Sequence, residues 1–148
     1  MRYKTIASIL LTSSFIYSCN QPKLEHPEPD IIKSVEINLT EISTDPDYGY
    51  DMKKPVEVGG IAEKKGHKNQ YTYLRQLAGP NGESLSFHRK GLCCIFKTDN
   101  GHRGLGFLDI WEIKITASDK TKKIYLNSYN YDTPKSPLGF RIKKVKKN

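Results

Sequence analysis

The chain has 148 residues, with 24 lysines and arginines against 16 aspartates and glutamates, and 36% of its residues are hydrophobic. This length suits a single domain built around one core. The formal net charge of +8 would ordinarily suggest nucleic acid as a partner, but an export signal at the start of the chain argues against that class.

Residues 1–18 form a predicted signal peptide. Arg2 and Lys4 precede a short apolar stretch at 6–11, a second apolar patch follows at 15–17, and the small residue Ser18 precedes the expected cut. This order is typical of secretory signals. The stretch is shorter than the roughly 20 apolar residues that a membrane-spanning helix needs, so we expect a signal that is removed.

A cysteine at the cleavage point changes the expected destination. The sequence Ile16-Tyr17-Ser18-Cys19 resembles the lipobox of bacterial lipoproteins, with Tyr17 in place of the usual small or aliphatic residue. The resemblance implies that Cys19 is lipidated with palmitate-like chains, and two or more chains hold a protein permanently on a membrane. Asn20, rather than aspartate, after the cysteine implies the outer membrane. A conventional signal with an incidental cysteine is the alternative.

Residues 19–30 predict a tether between the lipid and the domain. Prolines at 22, 27 and 29 and several charged residues cannot build a core and favour an extended chain. At about 3.1 Å per residue, such a chain reaches roughly 30 Å from the lipid. Residues 31–148 are then expected to form one domain.

The sequence of the first half of this domain predicts two strands with a loop between them. Residues 31–40 alternate the apolar Val35, Ile37 and Leu39 with polar neighbours, which indicates a half-buried strand. Residues 44–50 are typical of a loop, and residues 55–58 predict a short strand that ends at Gly59 and Gly60.

One short helix is predicted over residues 69–77. Tyr71, Leu74 and Leu77 recur every three residues, and Gly79 is placed to end the helix. We therefore expect the ring of Tyr71 to lie in the core.

The second half predicts a set of antiparallel strands. A turn at 79–82 precedes strands at 85–89 and 91–97, which a turn at 99–101 closes. Trp111, Ile113 and Ile115 alternate with polar residues over 108–116, so Trp111 is expected in the core, and 122–129 is the expected hairpin partner. A last edge strand is expected at 139–142. The predicted fold class is α+β: a mostly antiparallel sheet with one short helix.

The excess positive charge lies in the last eight residues. They hold five basic residues and no acid, and without these five and the two basic residues of the signal, 17 basic residues face 16 acidic ones. Such a tail attracts anionic lipid headgroups or polyanionic envelope polymers, or it serves solubility alone. Its basic residues are Arg141, Lys143, Lys144, Lys146 and Lys147.

Six segments carry a resemblance to a known family: 47–50 (DYGY), 54–60 (KPVEVGG), 73–82 (YLRQLAGPNG), 93–97 (CCIFK), 108–112 (LDIWE) and 136–140 (SPLGF). In order and spacing they resemble a family of small lipoproteins from Gram-negative bacteria, for which no activity is implied. Relatives sometimes carry the name 2-dehydro-3-deoxyphosphooctonate aldolase. That synthase is a barrel of eight strand-helix units, which needs about 250 residues, so the name is not expected to describe this chain.

Two adjacent cysteines and two histidines are the candidates for chemistry. Cys93, Cys94, His88 and His102 lie within fifteen residues, but their spacing lacks the paired form in which zinc ligands converge. No metal site and no cofactor is therefore expected. A nucleophilic Cys94 with His88 or His102 as its base is the catalytic alternative. Because neighbouring strand residues point to opposite faces, we predict reduced thiols in Cys93 and Cys94, with a strained vicinal disulfide as the alternative.

Four tyrosines in or beside loops are the candidates for a binding surface. Aromatic rings give rigid contact area with a polar tip, and they also suit strands intrinsically. The four are Tyr48, Tyr50, Tyr129 and Tyr131.

Two classes of function follow from these residues. The first is a non-catalytic envelope module that holds a partner protein, a glycan or an anionic lipid near the membrane. The second is a small envelope thiol enzyme or redox protein that uses Cys93, Cys94 and His88. The tether, the basic tail and the lack of a recognisable catalytic set favour the first class.

Overall fold

The computed structural model describes residues 36–116 and 118–143, which belong to one compact unit, Ser34–Asn148. The predicted signal peptide, Cys19, the tether and Lys144, Lys146 and Lys147 lie outside the described residues. The elements in chain order are β1 (Val56–Glu57), α1 (Gly66–Leu74), β2 (Leu77–Ala78), β3 (Leu85–His102), β4 (Leu105–Ile115), β5 (Thr121–Asn127) and β6 (Arg141–Ile142).

The main sheet has four strands in the order β1-β5-β4-β3. β3 pairs antiparallel with β4 and β4 with β5, while the short β1 runs parallel to β5. A second, two-stranded sheet joins β2 to β6 in antiparallel register. The predicted fold class, a mostly antiparallel α+β domain with one helix, is confirmed.

The core lies between one face of the main sheet and α1. Trp111, Ile113, Ile124 and Leu126 alternate along β4 and β5 and are fully buried, because alternate strand residues face the same side. Each fully buried aliphatic side chain stabilises the fold by about 1.5–3 kcal/mol relative to exposure. The expectation that Trp111 belongs to the core is confirmed.

The helix begins and ends three residues earlier than the sequence predicts. Its buried residues are Gly66, Gln70, Tyr73 and Leu74, which lie at i, i+4, i+7 and i+8 on one face. Tyr71 is 43% exposed, so its predicted core position is wrong. The spacing of apolar residues gave the wrong helix face, because the fully buried Gln70 is polar and was not counted in it.

Gly66 lets α1 approach the sheet closely. A Cβ atom at this position would lie 3.0 Å from the Cβ of Ser128, tighter than ordinary packing. The start of the helix therefore needs a residue without a side chain where it meets the end of β5.

The predicted strand at 31–40 is wrong for its described part. Residues 36–40 form no strand, although Ile37 and Leu39 are buried as the alternation indicated. The side-chain amide of Gln76 replaces a partner strand: its Oε1 accepts from Leu39 N at 2.9 Å, and its Nε2 donates to Ile37 O at 2.9 Å. These bonds satisfy the buried backbone.

The hairpin of β3 and β4 extends past the rest of the sheet. β5 pairs with β4 only between Asp109 and Lys114, so residues 92–108 form a two-stranded hairpin arm. The predicted strands at 85–89 and 91–97 are one strand of 18 residues, Leu85–His102. The predicted turn at 99–101 is wrong, since the chain reverses at Arg103 and Gly104, whose positive φ values of 55° and 74° suit a two-residue hairpin turn.

The other predicted strands are close to the observed ones. β4 and β5 match the predicted 108–116 and 122–129, with β4 starting three residues earlier. β1 lies inside 55–58, and β6 lies inside 139–142.

Candidate functional site

An open cavity lies where the hairpin arm leaves the body of the domain. Its volume is ≈ 390 Å³, within the range of roughly 300–1,000 Å³ typical of small-molecule sites. Three parts of the chain line it: residues 61–67 at the start of α1, the base of the arm on β3 and β4, and Ser128 and Tyr129 after β5. We call it the arm-base cavity.

A hydrogen-bond network centred on Gln70 forms the floor of this cavity. The side chain of Gln70 is 1% exposed. Its Nε2 donates to Asp109 Oδ2 at 2.5 Å and to Ser128 Oγ at 2.6 Å, and its Oε1 accepts from Trp111 Nε1 at 2.7 Å. The network satisfies buried polar groups that would otherwise be costly.

Arg89 extends this network to the cavity surface. Its Nε donates to Asp109 Oδ1 at 2.5 Å, and its Nη2 forms an ion pair with the same oxygen. The Asp109 side chain is 8% exposed and that of Arg89 is 32% exposed. A buried carboxylate thus holds a guanidinium at the boundary between protein and solvent. Because both carboxylate oxygens are engaged, the position of Arg89 is well defined.

The walls of the arm-base cavity are apolar and its rim is basic. Leu92 is 60% exposed and Phe107 39% exposed, and both line the cavity together with Tyr129. Lys64 and His67 stand at the rim, and both are exposed. Apolar walls with a few convergent polar groups are the usual composition of a ligand site.

Phe96 and Gly106 support the wall formed by Tyr129. The rings of Phe96 and Tyr129 meet edge to face, with centroids 5.8 Å apart. A Cβ atom on Gly106 would lie 2.9 Å from the Phe96 ring, so the glycine leaves room for that ring. The packing fixes Tyr129 against the arm.

A second cavity, of ≈ 480 Å³, lies beside Cys94, and we call it the disulfide cavity. Cys94, Phe96 and Leu108 line it from the arm, and Met52, Lys53, Pro55 and Glu57 line it from the segment that leads into β1.

Cys93 and Cys94 are joined by a disulfide bond, so the predicted reduced thiols are wrong. Cys93 lies opposite Leu108 and Ile95 lies opposite Phe107 on β4, which makes Cys94 the extra residue of a β-bulge. Its φ is 56°. The prediction assumed a regular strand with alternating faces, whereas the bulge rotates Cys94 and allows the two sulfurs to meet.

The structure does not bring His88 and Cys94 together, as the catalytic alternative would need. They lie six positions apart along β3, which at about 3.3 Å per residue is roughly 20 Å. His88 lies opposite Glu112, and His102 lies at the far end of the arm. Within the described ranges, no group of three or more His, Cys, Asp or Glu residues could hold a metal ion.

Of the four tyrosines predicted as a binding surface, only Tyr129 lines the arm-base cavity. Tyr48 accepts from Lys135 N at 3.1 Å, and burial raises the pKa of its phenol. Tyr50 donates to Leu138 O at 2.7 Å, and burial raises its pKa to about 12. Both rings pack against the core and so have structural roles. Tyr131 is 44% exposed and lies opposite Val58 in an isolated β-bridge.

The described part of the basic tail lies at β6. Arg141 pairs with Ala78, and Lys143 N donates to Gln76 O at 2.7 Å.

Sequence reasoning missed Gln70, Arg89 and Asp109. One signal was present in the sequence. Asp109 lies on the same face of the strand as Trp111, Ile113 and Ile115, and a carboxylate on a face that points to the core needs a partner. The partner could not be identified, because Gln70 and Arg89 are 39 and 20 residues away along the chain.

In comparisons with known proteins, no family model, no curated protein and no solved structure matches this chain. In the described part of the chain, no helix has the length and apolar character of a membrane span.

Proposed function

We propose that the chain is a lipid-anchored module of the bacterial cell envelope that binds its ligand in the arm-base cavity. Support for the anchor comes from the signal-like residues 1–18, the lipobox-like residues before Cys19 and the proline-rich segment that follows. The resemblance to small Gram-negative lipoproteins supports the same location, most simply on the outer membrane.

The single observation that carries the binding proposal is the floor of the cavity. Gln70, Asp109 and Trp111 form a buried, satisfied network, and this network presents the guanidinium of Arg89 to an open cavity. A rigid polar floor between apolar walls is the arrangement expected of a binding site, because preorganised side chains lose little entropy when a ligand arrives.

Photo-crosslinking in cells tests the binding proposal. A photoreactive phenylalanine analogue replaces Phe107 at the cavity wall, and a matched variant carries it at the exposed Lys114 of β4. We expect a defined small-molecule mass on the peptide that contains the first probe and none on the second. No adduct at either position, or the same adduct at both, would contradict a ligand in this cavity.

Metabolic labelling tests the anchor separately. A fatty-acid label should appear on the wild-type protein and disappear in Cys19→Ala, and fractionation should place the labelled protein in the outer membrane. Label that persists in the variant would exclude Cys19 as the lipid site, and recovery in the inner membrane would exclude the proposed destination.

The disulfide favours a second candidate, a redox role for Cys93 and Cys94. Two electrons and two protons from a partner dithiol would convert the disulfide into two thiols and the partner into its own disulfide. Alkylation of the unfolded protein should label neither cysteine before chemical reduction and both after it. In Cys93→Ser/Cys94→Ser, a binding module should keep its small-molecule adduct, whereas a thiol-dependent protein should lose its function.

A further inference from the structure

The acceptor atoms at the floor of the arm-base cavity are already engaged. Asp109 Oδ1 receives the guanidinium of Arg89 and Oδ2 receives Gln70 Nε2, while Gln70 Oε1 receives Trp111 Nε1. Both Asp109 and Gln70 are buried, so little of these acceptors is open to a ligand that donates hydrogen bonds. The floor therefore favours ligands that accept hydrogen bonds over ligands that donate them.

Hydrogen-bond donors remain available among the residues that line the cavity. A guanidinium carries five N–H groups and an ammonium three, and neither has an acceptor. The bonds of Arg89 to Asp109 use Nε and Nη2, which leaves Nη1 for a ligand. Lys64 adds an exposed ammonium at the rim. Planar guanidinium groups bind carboxylate and phosphate oxygens especially well.

The net charge of the cavity lining also favours an anionic ligand. Asp109 is the one carboxylate among the residues that line the cavity, and it is paired with Arg89. Lys64 then leaves the mouth with a positive charge. The exposed apolar surface of Leu92, Phe107 and Ile61 requires that the rest of the ligand be apolar.

Resting on the proposed function, we infer that the arm-base cavity takes a small amphiphilic anion. Its oxyanion group, a carboxylate or phosphate, binds between Arg89 and Lys64. Its apolar body lies against Phe107, Leu92 and Tyr129.

Two fluorescent dyes of similar shape test this inference. One is 8-anilinonaphthalene-1-sulfonate, whose sulfonate stands for the oxyanion, and the other is the neutral N-phenyl-1-naphthylamine. We expect the anionic dye to bind the wild type at least about tenfold more tightly, the ratio expected for one charge-assisted hydrogen bond. Phe107→Ser, which removes part of the wall, should weaken both dyes and so report that they occupy this cavity.

Two variants isolate the oxyanion contacts. Arg89→Lys keeps a positive partner for Asp109 but removes the planar guanidinium, and Lys64→Asn removes a charge at a position whose φ of 57° asparagine tolerates. Each should weaken the anionic dye by roughly fivefold to tenfold and leave the neutral dye unchanged. The control Lys68→Asn, on the exposed side of α1, should change neither affinity.

Displacement of the anionic dye identifies the source of the anion. Displacement by octyl phosphate alone would support a soluble amphiphile, and displacement by phosphatidylglycerol vesicles would support a lipid headgroup. Equal affinity for the two dyes, or an anionic affinity that Arg89→Lys and Lys64→Asn do not change, would overturn the inference while leaving a binding cavity in place. If neither dye binds in a manner sensitive to Phe107→Ser, the proposed binding function fails as well.

Discussion

Gln70 connects α1, β4 and the chain after β5 from a fully buried position. It lies on α1, bonds to Asp109 and Trp111 on β4, and bonds to Ser128 after β5. An amide suits this place because it both donates and accepts. The residue that looks least suited to a core therefore aligns the helix with the sheet and fixes the floor of the cavity.

Gln70→Leu should destabilise the domain by about 3 kcal/mol, because it leaves Asp109 Oδ2 and Trp111 Nε1 without partners and each unsatisfied buried group costs roughly 1–3 kcal/mol. Urea denaturation of identically prepared proteins measures the change. Lys68→Leu, exposed on the same helix, is the matched control and should change stability by less than about 0.5 kcal/mol. A loss below about 1 kcal/mol in Gln70→Leu would contradict the structural role of the network.

Tyr50 is held protonated by its surroundings. Its hydroxyl donates to Leu138 O and accepts from Lys122 Nζ at 3.1 Å. Burial raises the Tyr50 pKa to about 12, and burial also lowers the pKa of the Lys122 ammonium. In the unfolded chain, tyrosine ionises near pH 10.

The raised pKa of Tyr50 predicts a loss of stability in alkali. The stabilising contribution is complete below pH 10 and is lost as the pH rises toward 12, because only the unfolded state releases the proton in that window. Between pH 9 and 11 the loss due to Tyr50 is roughly 1 kcal/mol after allowance for its partial exposure. Tyr50→Phe should lose less stability over this interval by that amount. Equal pH dependence of the two proteins in urea denaturation would refute the assignment.

At the scale of elements, Gln76 takes the place of a β-strand. Its side-chain amide accepts a hydrogen bond from Leu39 N and donates to Ile37 O. It also donates to Thr72 O at 2.9 Å. Alternation at 31–40 correctly indicated which of the described side chains are buried, but it could not reveal a side chain acting as the backbone's partner. Alternating burial and strand hydrogen bonding are separate properties.

Gln76→Ala should release the segment around Leu39 without unfolding the sheet. The Leu39 amide loses its acceptor, so its hydrogen exchange should become roughly tenfold faster, given about 1–1.5 kcal/mol for the bond. Exchange at Ile113 in β4 serves as the internal reference, and Arg75→Ala as the matched variant. Unchanged exchange at Leu39, relative to Ile113, would show that this hydrogen bond does not hold the segment.

β3 shows why element boundaries were harder to predict than element types. Residues 85–89 and 91–97 were correctly predicted as extended, but the bulge at Cys94 shifts the face on which the later residues lie. The alternation therefore breaks at the position of the two cysteines. A disulfide that depends on this bulge could not be inferred from a regular strand.

At the scale of the whole molecule, the fold class followed from the apolar patterns, while the candidate site did not. β4 and β5 were predictable because single strands carry their own alternation. The arm-base cavity combines residues from α1, β3, β4 and the chain after β5, and no local pattern reports such contacts. Tyr129 alone was predicted among its lining residues.

The basic tail can be separated from the folded domain by truncation. Because Lys143 N donates a hydrogen bond to Gln76 O, the chain should be truncated after Lys143. Removal of residues 144–148 should leave the fold intact and weaken binding to anionic vesicles, by about 1 kcal/mol for each of its three lysines at low salt. Vesicle sedimentation measures this, with zwitterionic vesicles as the control. Equal binding of both forms to anionic vesicles would leave the tail without a role in adhesion.

Nuclear magnetic resonance of the labelled protein, titrated with the small-molecule fraction of an envelope extract, tests whether the arm-base cavity is the ligand site. We predict saturable shifts of the amides of Gly66, Leu92 and Tyr129, no shifts at Lys114 or Thr121, and saturation only at a higher ligand concentration in Phe107→Ser. Saturable shifts confined to residues away from the cavity, or a titration that Phe107→Ser leaves unchanged, would show that the ligand binds elsewhere.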